Sequence, residues 1–434
     1  LMNDLIIIGA GPGGYEMALA ARKAQLTTVL IEKGEVGGTC LHCGCIPTKA
    51  YYKNAEFLNS LKKADILGVE ISKYKFDFKV AKSRKDEIVS LLTKGILDSL
   101  QKSGVNVING EAKLINKNTV MVNGKIYLRK YIVIATGSRS MVIPNFETAL
   151  SSTDILNFDT LPSKLVIIGG GVIGVEFASI LNSCGVEVII VEMMDRLVPN
   201  LDKEISKRLQ AYLKAQGIKI YLNSQALSYQ DNTVKIKVKD EEVNLSCDNV
   251  LVAVGRRPNV EGIGLEEVGI NFDRKGIKVD ENYKTNIDNI YAIGDVNGKN
   301  MLAHYATFSG YHALKNILGE KSDINFDLTP ACVFTFPEIA TVGLTEDACI
   351  DRQINYEVVK NLYRANGKAQ TLAEIDGYIK MIISNKKIIG VHIIGAFASI
   401  LIHELSTLMN KEITIDELRN YIHAHPTLSE IFIQ

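Results

Sequence analysis

One pattern occurs twice in this sequence and limits its possible folds more than any other. Near the start, the apolar run from Asp4 to Ile8 leads into Gly9-Ala10-Gly11-Pro12-Gly13-Gly14. A helical stretch rich in Ala and Leu follows from Tyr15 to Lys23, then a strand-like run from Thr27 to Ile31, then Glu32. Far downstream, Leu165 to Ile168 leads into Gly169-Gly170-Gly171-Val172-Ile173-Gly174, a second helical stretch, Val186 to Val191, and Glu192. In both copies the acid lies twenty-one residues beyond the middle glycine. Glycines here let the backbone turn tightly and approach a bound group, and the free N–H groups of the following helix attract anions. Two turns needing glycine only for packing would leave both acids unexplained.

Strand, glycine turn, helix, strand and acid is the order of a dinucleotide-binding unit. Gly9, Gly11 and Gly14 are expected against one pyrophosphate, and Gly169, Gly171 and Gly174 against another. Glu32, with Lys33 beside it, and Glu192 are placed to meet a ribose. Two such units imply two cofactors and two parallel α/β sheets. Glu192 would repel a 2′-phosphate and accept from a free 2′-hydroxyl, so NAD is expected over NADP in the second unit. Arg196, four residues on, works against that preference.

After the first unit comes Gly37-Gly38-Thr39-Cys40-Leu41-His42-Cys43-Gly44-Cys45-Ile46-Pro47-Thr48-Lys49. Three cysteines fall within six residues. A disulfide needs Cα atoms about 4.4 to 6.8 Å apart. Five steps along a regular helix rise about 7.5 Å, so Cys40 and Cys45 pair only where the backbone is distorted. Gly37, Gly38 and Gly44 permit such a distortion. Cys40 and Cys43 also form a C-x-x-C, which alone suggests a thioredoxin-type dithiol or half of a zinc site. No second C-x-x-C or His-x-His follows nearby, against zinc. Buried free thiols are the plain alternative, and clustering among glycines speaks against it.

This segment closely resembles the active-site segment of the flavin-dependent pyridine nucleotide-disulfide oxidoreductases, whose redox pair is separated by four residues. The resemblance implies a Cys40–Cys45 disulfide, with Cys40 meeting substrate and Cys45 lying against the flavin. It also implies that Gly38, Thr39 and Lys49 contact FAD. His42 and Cys43 stand where the family usually carries Asn and Val, and Cys43 is expected to be a buried passenger. Ile132-Val133-Ile134-Ala135-Thr136-Gly137 resembles the family's A-T-G element, which implies FAD contacts at Thr136 and Gly137. Val250 to Gly255 has the matching place at the end of the second unit, with Gly255 on the NAD side. Tyr291-Ala292-Ile293-Gly294-Asp295 resembles the second FAD element, in which Asp295 would bind the ribityl chain. An Asp N-cap after a buried strand is the ordinary reading of those residues. Because this element follows the second unit, the FAD domain must be discontinuous, with the NAD domain inserted in it.

Between these motifs, Tyr51 to Gln101 is largely helical in pattern, and Val105 to Lys125 reads as strands with a turn at Asn123-Gly124. From about Asp323 the glycine fingerprint is gone, and Pro330 to Gly343 resembles the start of the family's interface domain. Near the end stands His423-Ala424-His425-Pro426-Thr427-Leu428-Ser429-Glu430. A His pair spaced by one residue is half a metal site, yet no further ligand cluster accompanies it. By resemblance, His425 is the acid/base, Glu430 orients it, and the pair reaches the disulfide of the other subunit. An imidazole titrating near neutrality suits proton transfer to thiols. Family analogy also pairs Lys49 with Glu176 near the flavin, where the plain reading is solvated helix charges.

The expected fold is α/β: two Rossmann-like dinucleotide-binding domains, the second inserted in the first, plus an α+β C-terminal dimerisation domain. The expected boundaries are 1–143 and 257–322 for FAD, 144–256 for NAD and 323–434 for dimerisation. With 434 residues, 47% hydrophobic content and zero formal net charge, two or more cores are affordable, and no charge argument points to nucleic acid or an anionic membrane. No run reaches the about 18 apolar residues of a membrane span, and no basic segment precedes an apolar one at the start. Seven cysteines without secreted spacing fit a reducing compartment, the cytoplasm or, after loss of a transit peptide, the mitochondrial matrix.

Within the family, C-x4-C with I-P-T-K, Glu192 and H-P-T-L-S-E, without a terminal cysteine pair, best fit an enzyme oxidising protein-bound dihydrolipoamide with NAD+. That implies FAD and NAD as cofactors, a homodimer sharing active sites, and lipoyl-bearing acyltransferase or carrier partners in 2-oxo acid dehydrogenase or glycine cleavage complexes. The rivals are a reductase of a glutathione-like or coenzyme A disulfide, and a flavoprotein kept only as an assembly subunit.

Overall fold

The computed structural model describes residues 3–434. They form two compact units, each drawn from three segments. The first takes the residues up to Ala50, Val80–Met141 and Gly255–Ile324; the second takes Tyr51–Lys79, Val142–Val254 and Asn325–Gln434.

In the first unit, β1 (Asn3–Ile8) is central because its residues are apolar on both faces. Leu5, Ile6 and Ile7 are fully buried, as a parallel strand covered on both sides requires. It pairs in parallel with β2 (Thr28–Glu32), Ile6 opposite Val29, and with the strand Lys125–Ile134, Ile6 opposite Ile132. Asn106–Asn109 and Ile290–Ala292 complete the parallel part at its two ends. The strand Lys125–Ile134 also turns back on Thr119–Val122 through Asn123 and Gly124, at φ +51 and +77. Left-handed residues at both centres are what a two-residue hairpin demands, so the turn lies where the sequence marked it.

The helix α1 (Pro12–Lys23) begins with Pro at its first turn, where no intrahelical N–H is lost. It packs on the helix Ala303–Leu318 through glycines: a Cβ on Gly13 would lie 2.9 Å from the Ala306 carbonyl oxygen, and one on Gly310 3.1 Å from that of Gly13.

The second unit repeats the parallel plan in the order Lys219–Tyr221, Glu187–Val191, Lys164–Ile168, Asn249–Val252. The helix Val172–Ser183 follows its glycine turn. A three-stranded antiparallel meander, Ser224–Gln230, Thr233–Val238 and Glu241–Ser246, closes one apolar cluster with Val166, Ile168 and Val191. The C-terminal segment builds a five-stranded antiparallel sheet in the order Ala331–Val333, Ile339–Gly343, Lys387–Gly395, Gly377–Ser384, Glu357–Leu362. Ile379, Met381, Val391 and Ile393 from this sheet share a buried cluster with Leu401, Ile402 and Leu405 of the helix Ala398–Met409. Truncating any one of them to Ala would cost about 2–5 kcal/mol. The fold class is the expected one, two dinucleotide-binding folds with an α+β C-terminal segment. Among the described residues, no helix is long and apolar enough to cross a membrane.

Candidate functional site

Around the first glycine turn the chain folds back on itself repeatedly. Gly9, at φ +105, sits where a Cβ would meet the Ala135 carbonyl carbon at 2.7 Å and the Thr136 nitrogen at 3.2 Å. A side chain on Gly14 would overlap the Gly9 carbonyl oxygen. Gly11 is the N-cap of α1 and gives no side-chain cap, the first helical turn carries no acid, and a Cβ there would touch nothing within 4 Å. A bare helix start opening on free space is the cradle that a pyrophosphate needs. The residues present therefore fit FAD.

Glu32 has a further task. Its two carboxylate oxygens accept the Ala10 N–H at 2.6 Å and the Gly34 N–H at 2.8 Å, so the acid ties the end of β2 to the turn. A carboxylate has about four acceptor positions, and the others are left for a ribose. Lys33 is exposed and pairs with Glu111 at 3.7 Å.

Asp295 is not an N-cap. Ile293 occupies that place for the short 3-10 helix Gly294–Asn297. The Asp295 carboxylate accepts the Ser138 hydroxyl at 2.5 Å, and Ser138 in turn accepts Arg256 Nε at 2.7 Å. Burial pushes the Asp295 carboxyl above its ordinary value, against the Ser138 hydrogen bond. Thr136 and Gly137 are held by Asn259, through Thr136 Oγ1 to the Asn259 carbonyl at 2.8 Å and the Asn259 N–H to the Gly137 carbonyl at 2.9 Å. Gly255, at φ +123, belongs to this unit, and its carbonyl accepts the Met141 N–H. Sequence reasoning passed over Ser138 and Asn259. The antiparallel pairing of Ser138–Ser140 with Arg256–Pro258, which brings them in, joins strands with no local signal.

The cysteine hinge lies against this turn. The Gly37 N–H donates to the Ala10 carbonyl at 2.8 Å, and a Cβ on Gly38 would meet Gly11 Cα at 2.7 Å. Thr39 is exposed. Cys40 and Cys43 lie in α2 (Gly38–Cys43), and Cys45 opens α3 (Cys45–Leu61). Gly44 breaks the helix between them, and a Cβ there would lie 2.8 Å from the Thr39 carbonyl oxygen and 3.2 Å from Cys40 Cα. The helix is thus broken between the two cysteines, which are free thiols in this structure. Cys45 sits so close that its side chain, ahead of burial, is the main cause raising the Cys40 thiol far above its ordinary pKa. Burial, then Glu16, then Cys40 push Tyr15 up to about 12, which marks its place beside the hinge. Cys43 is half-buried, and His42 is tied to the Val36 carbonyl and Glu35.

The second turn repeats the first. Gly169 also has φ +105, and its Cβ would meet the Ala253 carbonyl oxygen at 2.5 Å. Gly171 is an uncapped helix start facing open space, and Gly174 again leaves no room for a side chain against Gly169. Glu192, 8% exposed, accepts the Gly170 N–H at 2.5 Å and the Met194 N–H at 2.7 Å. Arg196 is engaged by the Pro199 carbonyl at 3.1 Å and Asp347 at 3.4 Å. The cradle fits a dinucleotide. Lys49 is half-buried on α3 in the first unit. Glu176 is buried on the helix Val172–Ser183 in the second, where its carboxylate accepts the Phe334 N–H at 2.9 Å.

His425 and Glu430 are brought together. His425 Nδ1 lies 2.9 Å from Glu430 Oε1, and Glu430 Oε2 accepts the Thr427 N–H at 2.8 Å. The Thr427 N–H, then His425, hold the Glu430 carboxyl below its usual range. An ionised carboxylate only accepts, so Nδ1–H donates and Nε2 is left to take a proton. The His425 side chain is 79% exposed, while that of His423 is 8% exposed and bonded to Glu404 at 2.8 Å. Thr427-x-x-Glu430 is a capping-box signature that sequence reading alone could have found. Among the described residues, no group of three or more His, Cys, Asp or Glu is placed to hold a metal ion.

The family described as pyridine nucleotide-disulphide oxidoreductase matches residues 3–310, and its dimerisation domain matches residues 329–434. The dihydrolipoyl dehydrogenase of Chlamydia trachomatis is 37% identical over 443 residues, covering 99% of this chain and 95% of the relative. One from Bacillus subtilis is 38% identical over 447 residues, covering 100% and 95%. The solved structure of LpdA from Mycobacterium tuberculosis aligns with TM-score 0.91 at 27% identity, covering 99% of this chain and 98% of that one. With two matched glycine turns, a broken-helix cysteine pair and a C-terminal dimerisation segment, the chain belongs to the pyridine nucleotide-disulphide oxidoreductase family.

Proposed function

We propose that the chain oxidises protein-bound dihydrolipoamide to lipoamide while reducing NAD+ to NADH. The carrying observation is that Cys40 and Cys45, free thiols here, interact across the Gly44 break in the segment whose Gly38 abuts the Gly11 cradle. Full-length likeness to dihydrolipoyl dehydrogenases supports the substrate. The cofactors are FAD and NAD. FAD is assigned to Gly9, Gly11, Gly14, Glu32, Gly38, Thr39, Thr136, Gly137, Gly294 and Asp295, with Lys33 and Lys49 at its edges. NAD is assigned to Gly169, Gly171, Gly174 and Glu192, with Gly255 at the segment's end. Segments 1–143 and 257–322 form the FAD domain in this reading, 144–256 the NAD domain and 323–434 the interface.

In this mechanism one substrate thiol gives its proton to His425 Nε2, and the thiolate attacks Cys40 Sγ of the Cys40–Cys45 disulfide. The bridge breaks, and Cys45 leaves as the thiolate. The second substrate thiol then attacks the substrate sulfur of the mixed disulfide, closing the lipoyl ring and releasing Cys40, which takes up that thiol's proton. Glu430 keeps the His425 ring oriented throughout. Lys49 and Glu176 are assigned as a charge pair favouring the Cys45 thiolate. Bound FAD supplies the two-electron relay from the dithiol to NAD+.

His425 and Glu430 serve the thiols of a second copy in this reading, so a monomer lacks a complete site. Fully exposed Ile422 and two-thirds exposed Ile400 suit burial in a homodimer. The expected partners are lipoyl-bearing acyltransferases or carrier proteins, and the expected compartment is the cytoplasm.

The test compares NADH formation from dihydrolipoamide with NADH-driven reduction of glutathione disulfide. Lipoamide chemistry should dominate, and Cys45→Ser should keep bound FAD while losing turnover. Faster turnover of glutathione disulfide, or an active Cys45→Ser enzyme, would overturn the reading.

A further inference from the structure

The loop from Glu192 to Asp202 closes over the second glycine turn. The Val198 N–H donates to the Gly170 carbonyl at 2.8 Å, and a Cβ on Gly170 would meet Leu197 Cδ2 at 2.5 Å. Val198 makes this bond at φ +41, a left-handed conformation that crowds a β-branched side chain. Such a conformation persists only where its surroundings over-determine it. In the first turn the same bond, to the Ala10 carbonyl, comes from Gly37 at φ +113, where no side chain resists. The second turn therefore needs an anchor that the first does not.

That anchor is in the five-stranded sheet. The Val198 carbonyl accepts the Leu201 N–H at 2.9 Å and the Ser206 hydroxyl at 3.3 Å. Asp202, 2% exposed, caps the helix Lys203–Ala215 by accepting the N–H groups of Glu204 and Ile205. Its carboxylate also meets Lys380 Nζ at 2.9 Å. Lys380 stands in the strand Gly377–Ser384 with its side chain 1% exposed, and its ammonium also meets Glu204 at 2.9 Å and the Glu346 carboxylate. Three carboxylates thus meet the three N–H donors of one buried ammonium. Burial would lower the Lys380 pKa, but the bonds to Glu346, Glu204 and Asp202 raise it above the ordinary value. Lys360 also binds Glu204, and Tyr356 donates to Glu346.

Strand register sets Thr341, His392, Lys380 and Lys360 in one row across the sheet. His392 is held neutral by burial, between the Thr341 hydroxyl and the Leu344 carbonyl, and adds no second cation beside Lys380.

We propose that Lys380 is a positioning residue for the nicotinamide dinucleotide: by fixing Asp202 it holds Val198 in its left-handed turn, and Val198 fixes the Gly170 peptide that faces the pyrophosphate. The proposal rests on the NAD assignment made above. It gives the C-terminal sheet a share in nucleotide affinity that no residue of that sheet earns by contact.

Isothermal titration of NAD+ into the oxidised FAD holoenzyme reads this without turnover. Lys380→Met should weaken NAD+ binding about tenfold, or about 1.4 kcal/mol, and raise the KM for NAD+ with kcat little changed. Reduction of the bound flavin by dihydrolipoamide should keep its wild-type rate. Val198→Gly alone sets the reference affinity for the double variant. Added to Lys380→Met it should restore most of the binding, because glycine adopts this turn without an anchor. If Lys380→Met does not retain FAD, Glu346→Gln should show a smaller loss of NAD+ affinity with the same rescue. Affinity within about twofold of wild type in a folded variant, or loss without rescue by Val198→Gly, would overturn the proposal. Wild-type holoenzyme that fails to bind NAD+ would instead remove the functional reading itself.

Discussion

In the first glycine turn the closing hydrogen bond to Ala10 comes from Gly37, and the chain runs straight on into the cysteine hinge. In the second, the bond to Gly170 comes from strained Val198, and the chain runs on to Asp202 and its buried lysine. The turns themselves hardly differ: Gly9 and Gly169 share φ +105, and Glu32 and Glu192 each accept the N–H of the next turn residue and of the residue two places on. One backbone solution therefore serves two cofactors. What distinguishes the copies is the residue that closes the turn and where the chain goes next.

The comparison breaks most visibly at Gly37. Its φ of +113, and a Cβ that would overlap the Leu41 side chain, predict that Gly37→Ala costs on the order of 1–3 kcal/mol and empties the flavin site. Flavin content and melting temperature of the purified variant check this. A Gly37→Ala protein that stays fully yellow would show that the first turn tolerates a side chain as the second does.

The matched acids sharpen it next. Removing either carboxylate strands two backbone donors at about 1–3 kcal/mol. Glu32→Ala should weaken FAD retention about tenfold or more and leave NAD+ affinity alone, and Glu192→Ala should do the reverse. Separate titrations of the two ligands read the crossed pattern, and parallel losses would erase the distinction.

A smaller effect is expected at Glu430. Its carboxyl lies below its ordinary value in the fold, so the stabilisation is complete above that ordinary value and is lost as pH falls through the lowered one. Glu430→Gln should flatten this acidic limb of a stability profile and reduce kcat about tenfold. An unchanged limb would assign it to other groups.

The smallest belongs to Asp295. Burial raises its carboxyl, so the ionised form costs stability once pH exceeds the ordinary aspartate value, and the cost fades on acidification. Asp295→Asn should raise the melting temperature of the flavin-free protein by about 1–2 °C at neutral pH while weakening FAD binding. A lower melting temperature would mean that the Ser138 bond outweighs the burial cost.

Local features were legible before any coordinates. The glycine turns, the Asn123-Gly124 hairpin and the need for a broken helix between Cys40 and Cys45 all follow from residue chemistry at short spacing. Less legible was what depends on strand register between distant segments. Lys380 reads as one charge in an apolar run until pairing sets it in a row with His392 and folding brings Asp202 beneath it. Ser138 acquires its role through Arg256, far along the chain. The acids were read as ribose ligands, yet each first secures its own turn, because a carboxylate following such a strand lies within reach of two free N–H groups. His423 and His425 look alike in sequence, and only packing buries one and exposes the other.

The Gly44 break has one more consequence, for direction. It makes Cys45 the first residue of a seventeen-residue helix, where the helix dipole favours an anion, while Cys40 lies inside a separate six-residue helix. In the proposed mechanism the departing sulfur is then the one at the helix start, and the incoming group meets the other. On that proposal, the order of events at two chemically identical atoms follows from where one helix stops and the next begins.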